Sequence, residues 1–118
     1  MDLYGLAPDH EDGWGEYFRN TVWYWYPLWG YIKSIAPHYG LADALSRVDG
    51  ATNSGSVVDA TSAIKIASML QEELDNGDAH LYQSSFEAKR DENDGHFTLE
   101  NVEEFIKFAR HSGGFKIC

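Results

Sequence analysis

The chain has 118 residues, which is the size of one domain. Acidic residues outnumber basic residues 19 to 9, and the net charge of −10 disfavours duplex nucleic acid as a partner because such a surface repels phosphate. With 4 Trp, 7 Tyr and 6 Phe, the composition also excludes intrinsic disorder as the main state.

The apolar and cysteine patterns indicate a protein of a reducing compartment. The one cysteine, Cys118, excludes a disulfide framework and a cysteine-based zinc site. No run of about 18 apolar residues is present, so no membrane span is expected. The first residues lack an apolar core segment, so no secretory signal is expected either. We expect one cytoplasmic globular domain over residues 1–118.

The first third of the chain changes character at residue 17. Residues 1–16 combine glycine, proline and acids, which predicts an irregular N-terminal lead-in. Residues 17–26 are aromatic and β-branched, and the pattern leaves a helix and an extended stretch equally open. Pro27 suits the first position of a helix, so a helix is predicted to begin near it and to stop at Pro37.

Helical periodicity dominates the rest of the chain. A short helix is predicted over 41–48, and the longest is predicted to open at Ser56 and end at Asn76-Gly77. Further helices are predicted from Ala79 to about Arg90 and after Thr98. The chain is therefore predicted to be mainly α, a compact bundle of four to five helices. The aromatic segment or the C-terminal tail, residues 115–118, is compatible with a small β element.

The aromatic segment is the first candidate site. All four tryptophans lie between Trp14 and Trp29, and no regular structure can bury every ring of Trp23-Tyr24-Trp25-Tyr26. A core role is favoured for at least half of these rings, because a small domain needs large apolar side chains. Outward rings can stack on a flat ligand, and Arg19 can pair with its phosphate or carboxylate. Ligand-binding candidates here are Arg19, Asn20, Trp23, Trp25 and Trp29.

The loop before the predicted middle helix adds weaker candidates. Free backbone amides at a helix N-terminus bind anions, so Asn53, Ser54 and Ser56 are candidate hydrogen-bond donors to the same ligand. The loop lacks the Gly-Lys-Ser/Thr of a P-loop, and an ordinary capped helix start is the favoured explanation.

A cluster of acids is the alternative site. Glu72, Glu73 and Asp75 crowd the predicted C-terminal end of the middle helix, where the macrodipole disfavours negative charge, and Asp78 follows. A solvated face is the ordinary explanation. The functional alternative is an acidic patch that docks on a basic protein surface and mimics phosphate.

Metal and catalytic patterns are missing. A calcium loop starting at Asp91 fails, because its sixth residue is His96 and its twelfth is Val102. The five histidines lack ligand spacing, and no nucleophile motif is present. No metal, cofactor or catalytic residue is therefore expected. A hydrolase with a carboxylate pair stays open only because the chain has many acids.

Two blocks carry a family resemblance. Tyr17-Phe18-Arg19-Asn20 with Trp23, Trp25 and Pro27-Leu28-Trp29 resembles the opening of a family of small uncharacterised proteins of bacteria and phages. The blocks 101–105 and 112–115 resemble that family's ending. Where the family pattern often has Arg before the proline, this chain has Tyr26, which weakens a two-arginine anion site. The resemblance implies a phage or mobile-element setting, a host cytoplasmic location and a role in countering host defence.

These patterns lead to ranked expectations. The first is a non-enzymatic protein that sequesters a small, anionic, planar, nucleotide-like ligand in an aromatic pocket shared within a homo-oligomer. The second is an acidic inhibitor that binds a host defence protein. A carboxylate-based hydrolase comes third.

Overall fold

A four-stranded antiparallel sheet joins segments from both ends of the chain. The computed structural model describes residues 1–118 and places the strands in the order β2-β1-β4-β3. The strands are β1 (Asp2–Gly5), β2 (Tyr17–Arg19), β3 (Val57–Val58) and β4 (Phe115–Ile117). Leu3 lies opposite both Phe18 and Ile117, so β1 is a central strand. The small β element thus uses both the aromatic segment and the tail.

Five helices make up most of the remaining chain and confirm the mainly α class. They are α1 (Val22–Ile35), α2 (Ala42–Ser46), α3 (Ala60–Asp75), α4 (Asp78–Lys89) and α5 (Leu99–His111), with a 3₁₀ turn at Ala36–Tyr39. None of them is both long and apolar enough to cross a membrane. Thr98 caps α5 as predicted, because its hydroxyl accepts a hydrogen bond from the Asn101 backbone N–H.

Three predicted boundaries are wrong. The lead-in is not irregular throughout, because Asp2–Gly5 pairs with two strands. The aromatic segment divides into strand β2 and the first turns of α1, so that helix begins at Val22 and not at Pro27. The middle helix begins after Asp59, whose carboxylate accepts from the Ser62 N–H, and Ser56 precedes a short strand.

Pro27 inside α1 is accommodated by a neighbouring loop. Proline has no N–H to donate to the carbonyl four residues earlier, which here belongs to Trp23. The backbone N–H of His96 donates to that carbonyl instead, at 2.8 Å. Gly95 allows this approach, because it has φ +79° and a Cβ there would lie 2.3 Å from the Trp23 oxygen. A Pro-containing sequence thus stays helical through a tertiary hydrogen bond.

One hydrophobic core connects the sheet to the helices. The inward residues of the strands pack against α5, whose Phe105 contacts the rings of Phe18 and Phe115 with centroids 5.4 and 5.8 Å apart. The opposite face of the sheet is solvent-exposed. That division follows from the alternation of side chains along a strand.

Candidate functional site

Trp25 and Trp29 belong to the core and not to an open ligand pocket. Trp25 is 0% and Trp29 is 7% exposed, and their rings stack with centroids 5.5 Å apart. The Trp25 indole N–H donates to the Gly50 carbonyl at 2.6 Å. A Cβ at Gly50 would lie 2.2 Å from the Trp29 ring, so the loop closes directly over it. Their predicted stacking on a ligand is therefore corrected, because no ring face is open.

Arg19, Asn20 and Trp23 are not brought together around a cavity. Arg19 is exposed on β2, and its guanidinium has no hydrogen-bond or ion-pair partner. The Asn20 amide exchanges two hydrogen bonds with the Asn101 amide, at 2.8 and 2.9 Å, and is engaged within the protein. Trp23 is 52% exposed on the first turn of α1. None of the three lines any cavity in the structure.

The candidate loop residues are held by their own neighbours. The Ser54 and Ser56 hydroxyls lie 3.0 Å apart, and the Ser56 hydroxyl accepts from the Asp49 N–H. Asn53 is exposed and lines no cavity. The predicted anion site at the helix start is corrected, because Asp59 carries the cap and its carboxylate is bonded to the amide that an anion would use. This hydrogen bond lowers the pKa of Asp59.

The acidic cluster is divided between the surface and the interior. Glu73 is only 6% exposed, and its carboxylate accepts hydrogen bonds from the Tyr31 and Tyr39 hydroxyls at 3.1 and 3.4 Å. Burial, together with the nearby Glu73 charge, raises the pKa of Tyr31. Glu73 is therefore corrected from a docking residue to a buried one. Glu72, Asp75 and Asp78 stay exposed, so the proposed acidic patch loses its middle residue.

The largest cavity in the molecule includes none of the predicted ligand-binding residues, although Asp75 of the predicted acidic patch lines it. We call it the Trp14 groove, and its volume is about 590 Å³, within the range of about 300–1,000 Å³ that small-molecule sites occupy. Helices α3 and α5 form its floor, and the loop before β2 supplies Trp14. It is lined by Trp14, Gln71, Leu74, Asp75, Leu99, Glu103, Ile106, Lys107 and Arg110.

The indole of Trp14 is held in place by groups from two segments. The His10 ring stacks on it with centroids 3.9 Å apart and planes 6° apart, and the His111 ring meets it edge-on at 5.6 Å. Asp9 contacts the His111 Nδ1 at 2.9 Å and so joins the loop to the end of α5. The Lys107 ammonium lies 5.3 Å from the ring centroid. Trp14 is nevertheless 40% exposed, so part of its surface faces the groove.

The charges of the groove are balanced in a chain that is otherwise acidic. Lys107 pairs with Glu104 at 3.6 Å, and Asp75 accepts from the Gln71 amide. Arg110 has no hydrogen-bond or ion-pair partner. It also lines a second cavity of about 390 Å³, which shares Gln71 and Asp75 with the Trp14 groove. An exposed indole, an unpaired guanidinium and an apolar floor together suit a flat ligand that carries negative charge.

Sequence reasoning missed this site for an identifiable reason. In the sequence, Trp14 precedes the dense aromatic segment that begins at Tyr17, and no motif singles out Lys107 or Arg110. Their spacing carried a signal, since Lys107, Arg110 and His111 share one face of the last helix at i, i+3 and i+4. What the sequence could not supply is the position of Trp14 beside that face.

No group of three or more His, Cys, Asp or Glu side chains in the structure could hold a metal ion. Comparison of the chain with protein-family models, curated protein sequences and solved structures gives no match. The resemblance to small phage and bacterial proteins therefore stays a prediction. Its two blocks do meet in space, because Asn20 pairs with Asn101 and Phe18 packs on Phe105.

Proposed function

We propose that this protein binds a small, flat, anionic ligand of the nucleotide class, and that the Trp14 groove is its site. The observation that carries the proposal is the unpaired Arg110, which lines two cavities and lies in the same groove as an exposed indole. Other cations of this chain are also unpaired, but Arg110 combines an unpaired guanidinium with a place in the lining of the largest cavity.

Each lining group has a role in this proposal. The exposed part of the Trp14 ring stacks on the planar part of the ligand, and Leu74, Leu99 and Ile106 form the apolar floor. Arg110 pairs with the phosphate in a bidentate manner, which its planar fork favours. Lys107 swings from Glu104 towards the same charge, because an exposed lysine–glutamate pair is weak. No bond is made or broken, so the function is binding and not catalysis.

The expected sequestering role in a phage or mobile-element setting extends this proposal. A non-enzymatic protein that binds a nucleotide signal lowers its free concentration in proportion to the amount of protein. The homo-oligomer expected from the sequence is not required, since one chain supplies every group of the groove.

Titration of ribonucleoside mono- and diphosphates, followed by calorimetry and tryptophan fluorescence, tests the proposal. We expect Trp14→Ala to weaken binding about tenfold or more, because base–aromatic stacking contributes ~1–3 kcal/mol. Arg110→Gln should weaken binding of phosphorylated ligands and leave nucleosides unchanged. Trp23→Ala, which removes an exposed indole distant from any cavity, is the matched control.

Two results would contradict the proposal. One is the absence of binding heat across the panel from protein that is folded by circular dichroism. The other is binding that Trp23→Ala weakens and Trp14→Ala does not, which would show that the ligand binds at the start of α1.

A further inference from the structure

The Trp14 groove continues towards the exposed face of the sheet. A cavity of about 180 Å³ lies beside it and shares Trp14 and Lys107 as a common wall. Tyr17 lines this smaller cavity from strand β2. The Tyr17 ring in turn contacts the Tyr4 ring, with centroids 5.1 Å apart. Three exposed aromatic rings, those of Trp14, Tyr17 and Tyr4, therefore follow one another from the groove onto the sheet.

Strand pairing fixes the order of the side chains beyond Trp14. Tyr17 is opposite Tyr4, Tyr4 is opposite Lys116, and Lys116 is opposite Val57, so these four form one outward row across the sheet. Tyr4 and Tyr17 are each 47% exposed. Because backbone hydrogen bonds set the register, these four side chains are neighbours on one face of the sheet and form a continuous platform.

Unpaired cations border this platform. Arg19 is opposite Asp2 in the next row, but the Asp2 carboxylate accepts its hydrogen bond from the Tyr17 hydroxyl. Arg19 and Lys116 have no ion-pair partner, like Arg110 in the groove. Glu104 is paired with Lys107 and Asp2 accepts from Tyr17, whereas Asp75 and Glu103 also line the groove and Glu103 has no ion-pair partner. The path from Arg110 to Lys116 thus offers three successive rings, with unpaired cations at its two ends and Arg19 in the neighbouring row of the sheet.

We infer that the ligand is a short single-stranded oligonucleotide of about two or three residues, laid from the Trp14 groove across Tyr17 and Tyr4. The inference rests on the proposed function and names its ligand class. Small sheets stack about two or three bases on outward aromatic rings, and cations beside the rings pair with the phosphates between the bases. The net charge of −10 opposes longer polyanions, so affinity should stop rising beyond the length of the platform.

Titrations of uridine monophosphate, diuridylate, triuridylate and hexauridylate test the inference. We expect triuridylate to bind about tenfold or more tightly than the monophosphate, and hexauridylate to add little. Tyr17→Ala should abolish the increase in affinity with oligonucleotide length and leave the affinity for the monophosphate unchanged. Tyr17→Phe, which keeps the ring, should retain that increase. Arg19→Gln should reduce the increase in affinity with length severalfold, and Arg47→Gln, which changes an exposed arginine just after α2, is its matched control.

The outcomes separate the two proposals. Equal affinity for mono- and triuridylate, with Trp14-dependent binding, would overturn the inference and leave the proposed function intact. Triuridylate binding that survives Trp14→Ala and is lost in Tyr17→Ala would overturn the groove as the primary site.

An abasic trimer that binds as tightly as triuridylate would overturn stacking of the bases on the rings. An acidic peptide that competes better than triuridylate, with the same Tyr17 dependence, would overturn the oligonucleotide in favour of a protein partner.

Discussion

Trp25 in α1 is completely buried, whereas Trp14, in the loop before β2, keeps 40% of its surface exposed. Trp25 lies on the face of α1 that packs on the core, whereas Trp23 and Tyr26 of the same aromatic segment are 52% and 48% exposed. Trp14 lies between two glycines and near acidic residues, and it packs on two histidines and a lysine at the surface. The comparison teaches that the face of the helix, and not the local density of rings, decides burial in this chain, and that an isolated ring among polar neighbours is held at the surface beside a cavity.

The largest expected loss of stability distinguishes the buried Trp25 from the exposed Trp14. Trp25→Ala should lower the free energy of unfolding by about 3–5 kcal/mol, because it opens a core cavity and leaves the Gly50 carbonyl without its donor. Trp14→Ala should lower it by about 1 kcal/mol or less, because the ring is packed only at the surface. Urea unfolding of both variants measures the difference. Similar decreases in the free energy of unfolding in the two variants would show that Trp14 is a structural residue.

Removal of a hydrogen bond to the buried Glu73 is expected to give the next largest loss of stability. Tyr31→Phe should destabilise the protein by about 1–3 kcal/mol, because the carboxylate keeps its burial and loses a donor. Tyr26→Phe, which removes an exposed hydroxyl bonded to the Ala51 carbonyl, is the control and should cost less. If the two variants were equally stable, the Tyr31–Glu73 hydrogen bond would contribute nothing measurable.

The same hydroxyl predicts a pH dependence. The pKa of Tyr31 is raised by burial and by Glu73, so the folded state holds its proton more tightly than the unfolded state. The stabilisation is complete below the ordinary tyrosine pKa of about 10 and is lost as the pH rises above it. The stability difference between wild type and Tyr31→Phe should therefore shrink between pH ~10 and ~11.5. A difference that grows over this interval would contradict the assignment.

The smallest effect concerns the contact between the two blocks of the family resemblance. Asn20→Ala should cost about 1 kcal/mol, because it leaves the partly buried Asn101 amide with fewer partners. The double variant with Asn101→Ala should cost less than the sum of the single variants, since each removes the same pair. Strict additivity in a double-mutant cycle would show that the two amides do not stabilise each other.

Local signals in the sequence were sufficient for much of the fold. The periodicity of α3 and α5, Thr98 before α5 and Asn76-Gly77 after α3 predicted the class and several boundaries, because these depend on neighbours within a few residues. Pro27 misled the prediction of α1, because the group that accommodates it is His96, which is distant in sequence. Strand β1 was missed because its pairing partners lie at Tyr17–Arg19 and at the C-terminus.

The candidate site, like the fold, could be predicted from the sequence only in part. The sequence predicts an aromatic ring beside an arginine as a ligand site, and this stays a prediction. The structure excludes Trp25 and Trp29 as stacking rings because they are buried, and it engages Asn20 in an internal amide pair. Lys107 and Arg110 could be placed together from helical spacing, but nothing local to Trp14 brings it to them.

The amino-acid sequence by itself determined the mainly α class, the Thr98 cap and the acidic, aromatic character of this chain, because propensity, periodicity and capping act over a few residues. Only the tertiary structure decided which tryptophans are buried, which carboxylate lies inside and where an unpaired arginine meets an exposed ring. Those outcomes depend on contacts between segments remote in the chain, and the free energy of such contacts is set by packing and desolvation rather than by local sequence.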